Sequence, residues 1–224
     1  MPTVEVFADG DHHRLRRDAE RNVEKISAAA MTVFAERGLE VSVADVAERS
    51  GVGVGTVYRR FGDKNGLIRA LFEAEIESVV ELAEAAVRAD DAGRAFVEFC
   101  LQASTSFANN KGLRDLMLAG GVEPTEFTLA AQQRLSTCVQ ILVDNAKRAG
   151  WLRDSFSHND FPVMLAAIGA AREFGGPEHP DLWLRTLALM FDGMRNDSRT
   201  PLTLDTPPPL TEEQAQAIVE SPHR

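Results

Sequence analysis

The stretch that most constrains the fold is "SVADVAERSGVGVGTVYRRFGDK", residues 42–64. Two short helices can cross closely only if the first offers a small side chain at the crossing and the turn tolerates a positive φ. The second must then return a branched apolar residue to the core. Ala47 meets the first need, Gly51 follows it by four residues and Val57 by ten, while Val46 and Val52 fill the wedge between. Glycine takes the left-handed conformation without Cβ strain. The spacing therefore predicts a helix-turn-helix over about 42–61. Ser42 stands where an N-cap belongs, with Asp45 three residues on in the capping-box position. Gly62 closes the second helix and Asp63 can cap the next.

Helical periodicity surrounds this unit. Val23, Ile26, Ala30, Val33 and Phe34 recur at helical spacing from Asp18 until Gly38. After Lys64 a long stripe runs through Ile68, Leu71, Phe72, Ile76, Val79, Val80, Ala83 and Val87. Beyond Asp91 the segments 93–108, 112–120, 126–150, 159–174 and 179–195 all read as helices separated by Gly, Pro and Asn. The fold class is all-α with about nine helices. Residues 1–17, with Arg14, Arg16 and Arg17, read as a flexible basic arm, 18–64 as the helix-turn-helix domain, 65–196 as a larger helical domain and 197–224 as a flexible tail.

Charge narrows the function classes. The net charge is −10, yet residues 12–64 carry ten Lys/Arg against eight Asp/Glu, whereas 65–224 carry fourteen against twenty-three. Only the N-terminal quarter can approach phosphates without strong repulsion. The glycine-rich "GVGVGT" is not a nucleotide-binding loop, because it lacks the P-loop spacing and follows no strand. Cys100 and Cys138 give no metal or disulfide pattern, and the histidines lack a third ligand at metal spacing, so no metal or cofactor is expected. No nucleophile, base and orienting group come together, which leaves no catalytic residues to name. With no signal peptide and no membrane-length apolar run, the expected location is cytoplasmic, with no membrane partner.

The block "ERNVEKISAAAMTVFAERGLEVSVADVAERSGVGVGTVYRRFGDKNGLIRAL" resembles the N-terminal DNA-binding domain of TetR-type transcriptional regulators. The resemblance implies that Tyr58 contacts phosphate, that Lys64 meets the backbone at a helix N-terminus, and that Thr56 touches phosphate or base. Ser42 would combine capping with a phosphate bond. Arg59 and Arg60 supply either guanine readout or backbone neutralisation. Val54 and Gly55 complete the surface expected to face bases. Val54 departs from the usual polar residue and can at best pack on a thymine methyl. Gly53 and Gly55 would each weaken the recognition helix by roughly 1 kcal/mol relative to alanine.

Residues 65–196 would then sense a ligand and dimerise. "FPVMLAAIGAA" and "LWLRTLALMF" are apolar over more than one helical face, so the helices near 159–174 and 179–195 are expected to pair with a second copy. Phe96, Phe99, Phe107, Met117, Phe127 and Met164 are the pocket candidates, with an apolar core as the competing reading of the same residues. The implied protein is a repressor that binds double-stranded palindromic DNA as a homodimer and is released by an unknown small-molecule effector. The alternatives are a DNA-binding regulator without a ligand and, from another class, an all-α enzyme.

Overall fold

The computed structural model describes residues 9–119, 124–196 and 211–214. Within them the chain forms nine helices: α1 (Asp9–Arg37), α2 (Val43–Ser50), α3 (Val54–Phe61), α4 (Lys64–Val87), α5 (Ala92–Asn109), α6 (Lys111–Ala119), α7 (Glu126–Arg148), α8 (Asp160–Gly175) and α9 (Leu182–Met194). No strand occurs among the described residues, only one isolated antiparallel bridge between Leu152 and Arg195. A reciprocal pair, Thr211 N–H to Gln214 Oε1 and Gln214 N–H to Thr211 Oγ1, opens a further helical turn at 212–214. Residues 1–8 of the expected arm, and 197–210 and 215–224 of the expected tail, lie outside the described residues.

Local sequence sets most helix starts. The Asp63 carboxylate accepts the Gly66 N–H at 2.7 Å, Asp91 accepts from Arg94 at 3.0 Å, and Thr125 Oγ1 accepts from Thr128 at 3.1 Å. Each satisfies one of the backbone donors that a helix N-terminus leaves unpaired. The start of α1 departs from expectation. It lies at Asp9 rather than Asp18, so residues 9–17 extend a helix instead of forming an arm.

Two main cores divide the chain, with a small third cluster of Ile76, Val80 and Ala131 where α4 meets α7. Ile26, Val33, Phe34, Val46, Val57 and Leu67 fill the smaller one, closed by α1, α2, α3 and the start of α4. Phe96, Phe99, Phe107, Leu142, Ile168 and Trp183 anchor the larger one, formed by α5, α7, α8 and α9 with the far half of α4. Trp151 packs on its edge, with ring centroids 5.7 Å from Phe96 and 6.3 Å from Phe191. At 24 residues, α4 spans about 36 Å and belongs to both cores. It lies along α7, where Arg134 reaches Glu77 at 2.9 Å and Glu84 at 2.7 Å.

Candidate nucleic-acid interface

The helix-turn-helix is assembled as its spacing demands. Val46 and Ala47 of α2 and Val57 of α3 are buried. Gly51 has φ +67° and lies in the left-handed region, the conformation the turn requires. The Val52 N–H then reaches the Ala47 carbonyl at 3.2 Å and ties the turn to α2.

At the other end of α2 the capping box is complete. Ser42 Oγ accepts the Asp45 N–H at 3.2 Å, and the Asp45 carboxylate accepts the Ser42 N–H at 2.9 Å. The Ser42 hydroxyl donates its proton to that same carboxylate. Ser42 can therefore serve a phosphate only by releasing Asp45, because a hydroxyl has one proton to give. Arg37 adds an ion pair to Asp45 at 3.0 Å. The Ser42 hydroxyl first, then the Ser42 N–H and the Arg37 guanidinium, hold the Asp45 carboxyl down at about 2.

Val54, Gly55, Tyr58 and Arg59 recur at helical spacing on the exposed face of α3, with Tyr58 49% exposed. Arg60 is exposed beside them, Thr56 is half-buried at the flank, and the half-buried Lys64 begins α4. The structure thus brings Val54, Gly55, Thr56, Tyr58, Arg59, Arg60 and Lys64 to one end of the small domain. Arg59, Arg60 and Lys64 form no ion pair among the described residues, whereas Arg37 and Arg49 are paired with carboxylates. No side chain caps α3, so its first N–H groups add partial positive charge to the same surface.

The two glycines expected to weaken α3 differ. Gly53 is the N-cap, outside the helix, and carries no interior penalty. Gly55 alone lies within it. A Cβ at either position would meet nothing within 4 Å, so the protein interior demands neither glycine. Another glycine matters more to the packing. A Cβ on Gly66, in the first turn of α4, would lie 2.0 Å from the Phe61 carbonyl oxygen, which makes Gly66 the contact that seats the end of α3 on α4. Its only signal is a glycine in a helix opening, where it costs stability unless packing requires it.

The six pocket candidates do not come together. Phe96, Phe99, Phe107 and Met164 are buried in the larger core, while Met117 and Phe127 are exposed and lie outside it. No group of three potential metal ligands occurs among the described residues. No described helix is long and apolar enough to cross a membrane.

Comparison with known families fits this geometry. Residues 26–71 match the model for bacterial regulatory proteins of the tetR family, and 91–196 match the SbtR-like transcriptional regulator C-terminal domain. The chain belongs to the TetR family. The TetR match covers the small core and the whole of α2 and α3, and the second match covers α5 to α9. A TetR transcription regulatory protein from Mycobacterium vanbaalenii superimposes with a TM-score of 0.58 at 28% identity, over 81% of this chain and 99% of that one. A TetR transcriptional regulator from Streptomyces coelicolor gives 0.58 at 27% identity, over 77% and 97%. An HTH-type transcriptional regulator of Staphylococcus aureus is 34% identical over 64 residues, 28% of this chain. That match spans about a third, 35%, of the length of the curated relative.

Proposed function

We propose that this TetR-family chain is a cytoplasmic, sequence-specific DNA-binding regulator that represses transcription as a homodimer on a palindromic operator. The observation that carries the reading is the uncompensated cationic end of the small domain. Among the described residues Arg59, Arg60 and Lys64 lie unpaired beside Tyr58 and the uncapped N-terminus of α3, on a chain whose net charge is −10. Tyr58 and Lys64 hold phosphates, and Arg59, Arg60, Thr56 and Val54 read the groove. The bare surface at Gly53 and Gly55 lets the α3 backbone approach the bases closely.

Dimerisation is supported by the solvent side of α8 and α9. Val163, Phe174, Leu184 and Leu189 are exposed there, and Phe174 is 88% accessible in the single chain. An apolar face of this kind marks an interaction site. Effector binding is supported by three buried polar atoms in the larger domain, Ser104 Oγ, Arg172 Nε and Trp183 Nε1, which have no partner among the described residues. A ligand with hydrogen-bonding groups on an apolar body would satisfy them.

The test is the affinity for a palindromic fragment of the chain's own promoter against random DNA at fixed salt. Arg59→Ala should weaken specific binding about tenfold or more. Tyr58→Phe should weaken binding to all sequences similarly. Equal affinity for every fragment would overturn the proposal.

A further inference from the structure

Besides α4, which belongs to both cores, α6 joins the two domains, and adjacent residues on it reach different ones. Asp115 reaches the small domain, where its carboxylate accepts the Leu39 N–H, in the turn between α1 and α2, at 3.1 Å. Lys111 Nζ donates to both Asp115 oxygens, at 3.0 and 2.9 Å, and holds the carboxylate in place. The approach is close enough to exclude side chains. A Cβ on Gly38 would lie 2.2 Å from Asp115 Oδ2, and one on Gly112 would lie 3.0 Å from Phe34 Cβ. The cleft left beside this joint, between Phe34, Ile68, Phe72 and Leu116, holds about 40 Å³. That is far below the roughly 300 Å³ of a small-molecule site, so the joint is a packed contact.

Arg114, one residue earlier, points into the larger domain and is 6% exposed. Its guanidinium donates to the Phe107 carbonyl at 3.2 Å and to the Ala108 carbonyl at the end of α5. It also reaches Glu173 of α8 through Nε at 3.1 Å and Nη2 at 2.7 Å. A buried guanidinium with this many partners fixes α6 firmly, because losing any one leaves a desolvated group unpaired.

We infer that Asp115 is a positioning residue for DNA recognition. From a helix that Arg114 and Glu173 anchor to α8, it holds the α1–α2 turn and so sets the orientation of the helix-turn-helix relative to the face proposed to dimerise. The recognition role rests on the DNA-binding reading above, whereas the mechanical link from Glu173 to Leu39 does not. Asp115 touches none of the groove-facing residues. Its effect is on the separation of two recognition helices in a dimer, which operator half-sites require to be fixed.

Amide exchange at Leu39 and binding to two DNA fragments test this on the full-length protein. Glu173→Gln is a mild change at a side chain 57% exposed, so the fold is retained. It is expected to speed Leu39 exchange about three- to tenfold while the amides in the middle of α8 stay protected. Asp115→Ala should speed it at least as much. Unchanged Leu39 exchange in Glu173→Gln would show that the two contacts are independent and overturn the link. On DNA, Asp115→Ala should weaken binding to a two-half-site promoter fragment about tenfold and leave binding to a single half-site unchanged. Equal loss on both fragments would mean that Asp115 acts within the helix-turn-helix fold, and the positioning role would fail. If the wild type distinguishes no promoter fragment, the DNA-binding reading and the role built on it fail together, and the exchange measurement still decides the link.

Discussion

Gly66→Ala and Gly55→Ala should move the stability of the recognition helix in opposite directions. Both replace a glycine near a helix start, and on propensity alone each would gain up to about 1 kcal/mol. At Gly55 nothing lies within 4 Å of the new Cβ, so the gain is realised. At Gly66 the new Cβ would lie 2.0 Å from the Phe61 carbonyl oxygen and 3.2 Å from its carbon. Unstrained contacts sit at about 3.5 Å, so the last peptide of α3 would have to retreat by more than an ångström. The obstructing atoms are backbone, which cannot swing aside as a side chain end can. Overpacking costs about 1–3 kcal/mol, and a rigid neighbour places this site at the upper end, for a net loss of about 2 kcal/mol after the propensity gain. Amide exchange over residues 57–61 reads both effects: up to about fivefold slower in Gly55→Ala and about thirtyfold faster in Gly66→Ala. Equal or better protection in Gly66→Ala would refute the seating of α3 on α4.

Phe174→Asp with Leu189→Asp should raise the dimer dissociation constant about a hundredfold or more, because burying each apolar side chain contributes about 1.5–3 kcal/mol. Sedimentation equilibrium reads this, and a monomeric wild type at micromolar concentration would remove its basis. The Asp45 carboxyl is held at about 2, below its ordinary 3.8, so its contribution is present above about pH 4 and is lost as pH falls toward 2. Asp45→Asn should flatten the acid dependence of α2 exchange in that window; an unchanged profile would count against the capping box as the cause. Burial pushes the Cys100 thiol up, and burial followed by the Glu84 charge raises Cys138 less. Ellman's reagent at pH 8 should leave Cys100 untouched in the native protein, react slowly with Cys138, and titrate both in urea. Prompt native reaction at two thiols would refute the burial.

The small domain was legible because its constraints are local. Gly51, Gly62, Ser42 and Asp63 mark helix ends through their own backbone preferences, so short-range reading places α2 and α3 within a residue or two. Sequence does not separate Gly53 from Gly55, because a glycine just before a helix and one just inside it look alike until the first hydrogen bond is known. The start of α1 is not legible for a different reason. Residues 9–17 carry no apolar repeat, and a stripe marks only the part of a helix that buries something. Apolar identity likewise failed to separate Phe96 from Phe127, since both read as candidates and only packing showed one buried and the other on the surface. The Leu39–Asp115 contact joins residues 76 apart. No local pattern encodes such a meeting, which depends on how α6 crosses α1.

The aromatic residues divide the molecule optically. The single tyrosine, Tyr58, lies on α3, and both tryptophans, Trp151 and Trp183, belong to the larger core. Tryptophan emission therefore reports on the larger domain and is silent about the recognition helix itself. An effector that enters among α5, α8 and α9 should change that emission directly. Operator DNA should change it only to the extent that strain crosses α4 and α6, so the size of a fluorescence response to DNA measures communication between the domains without any added label.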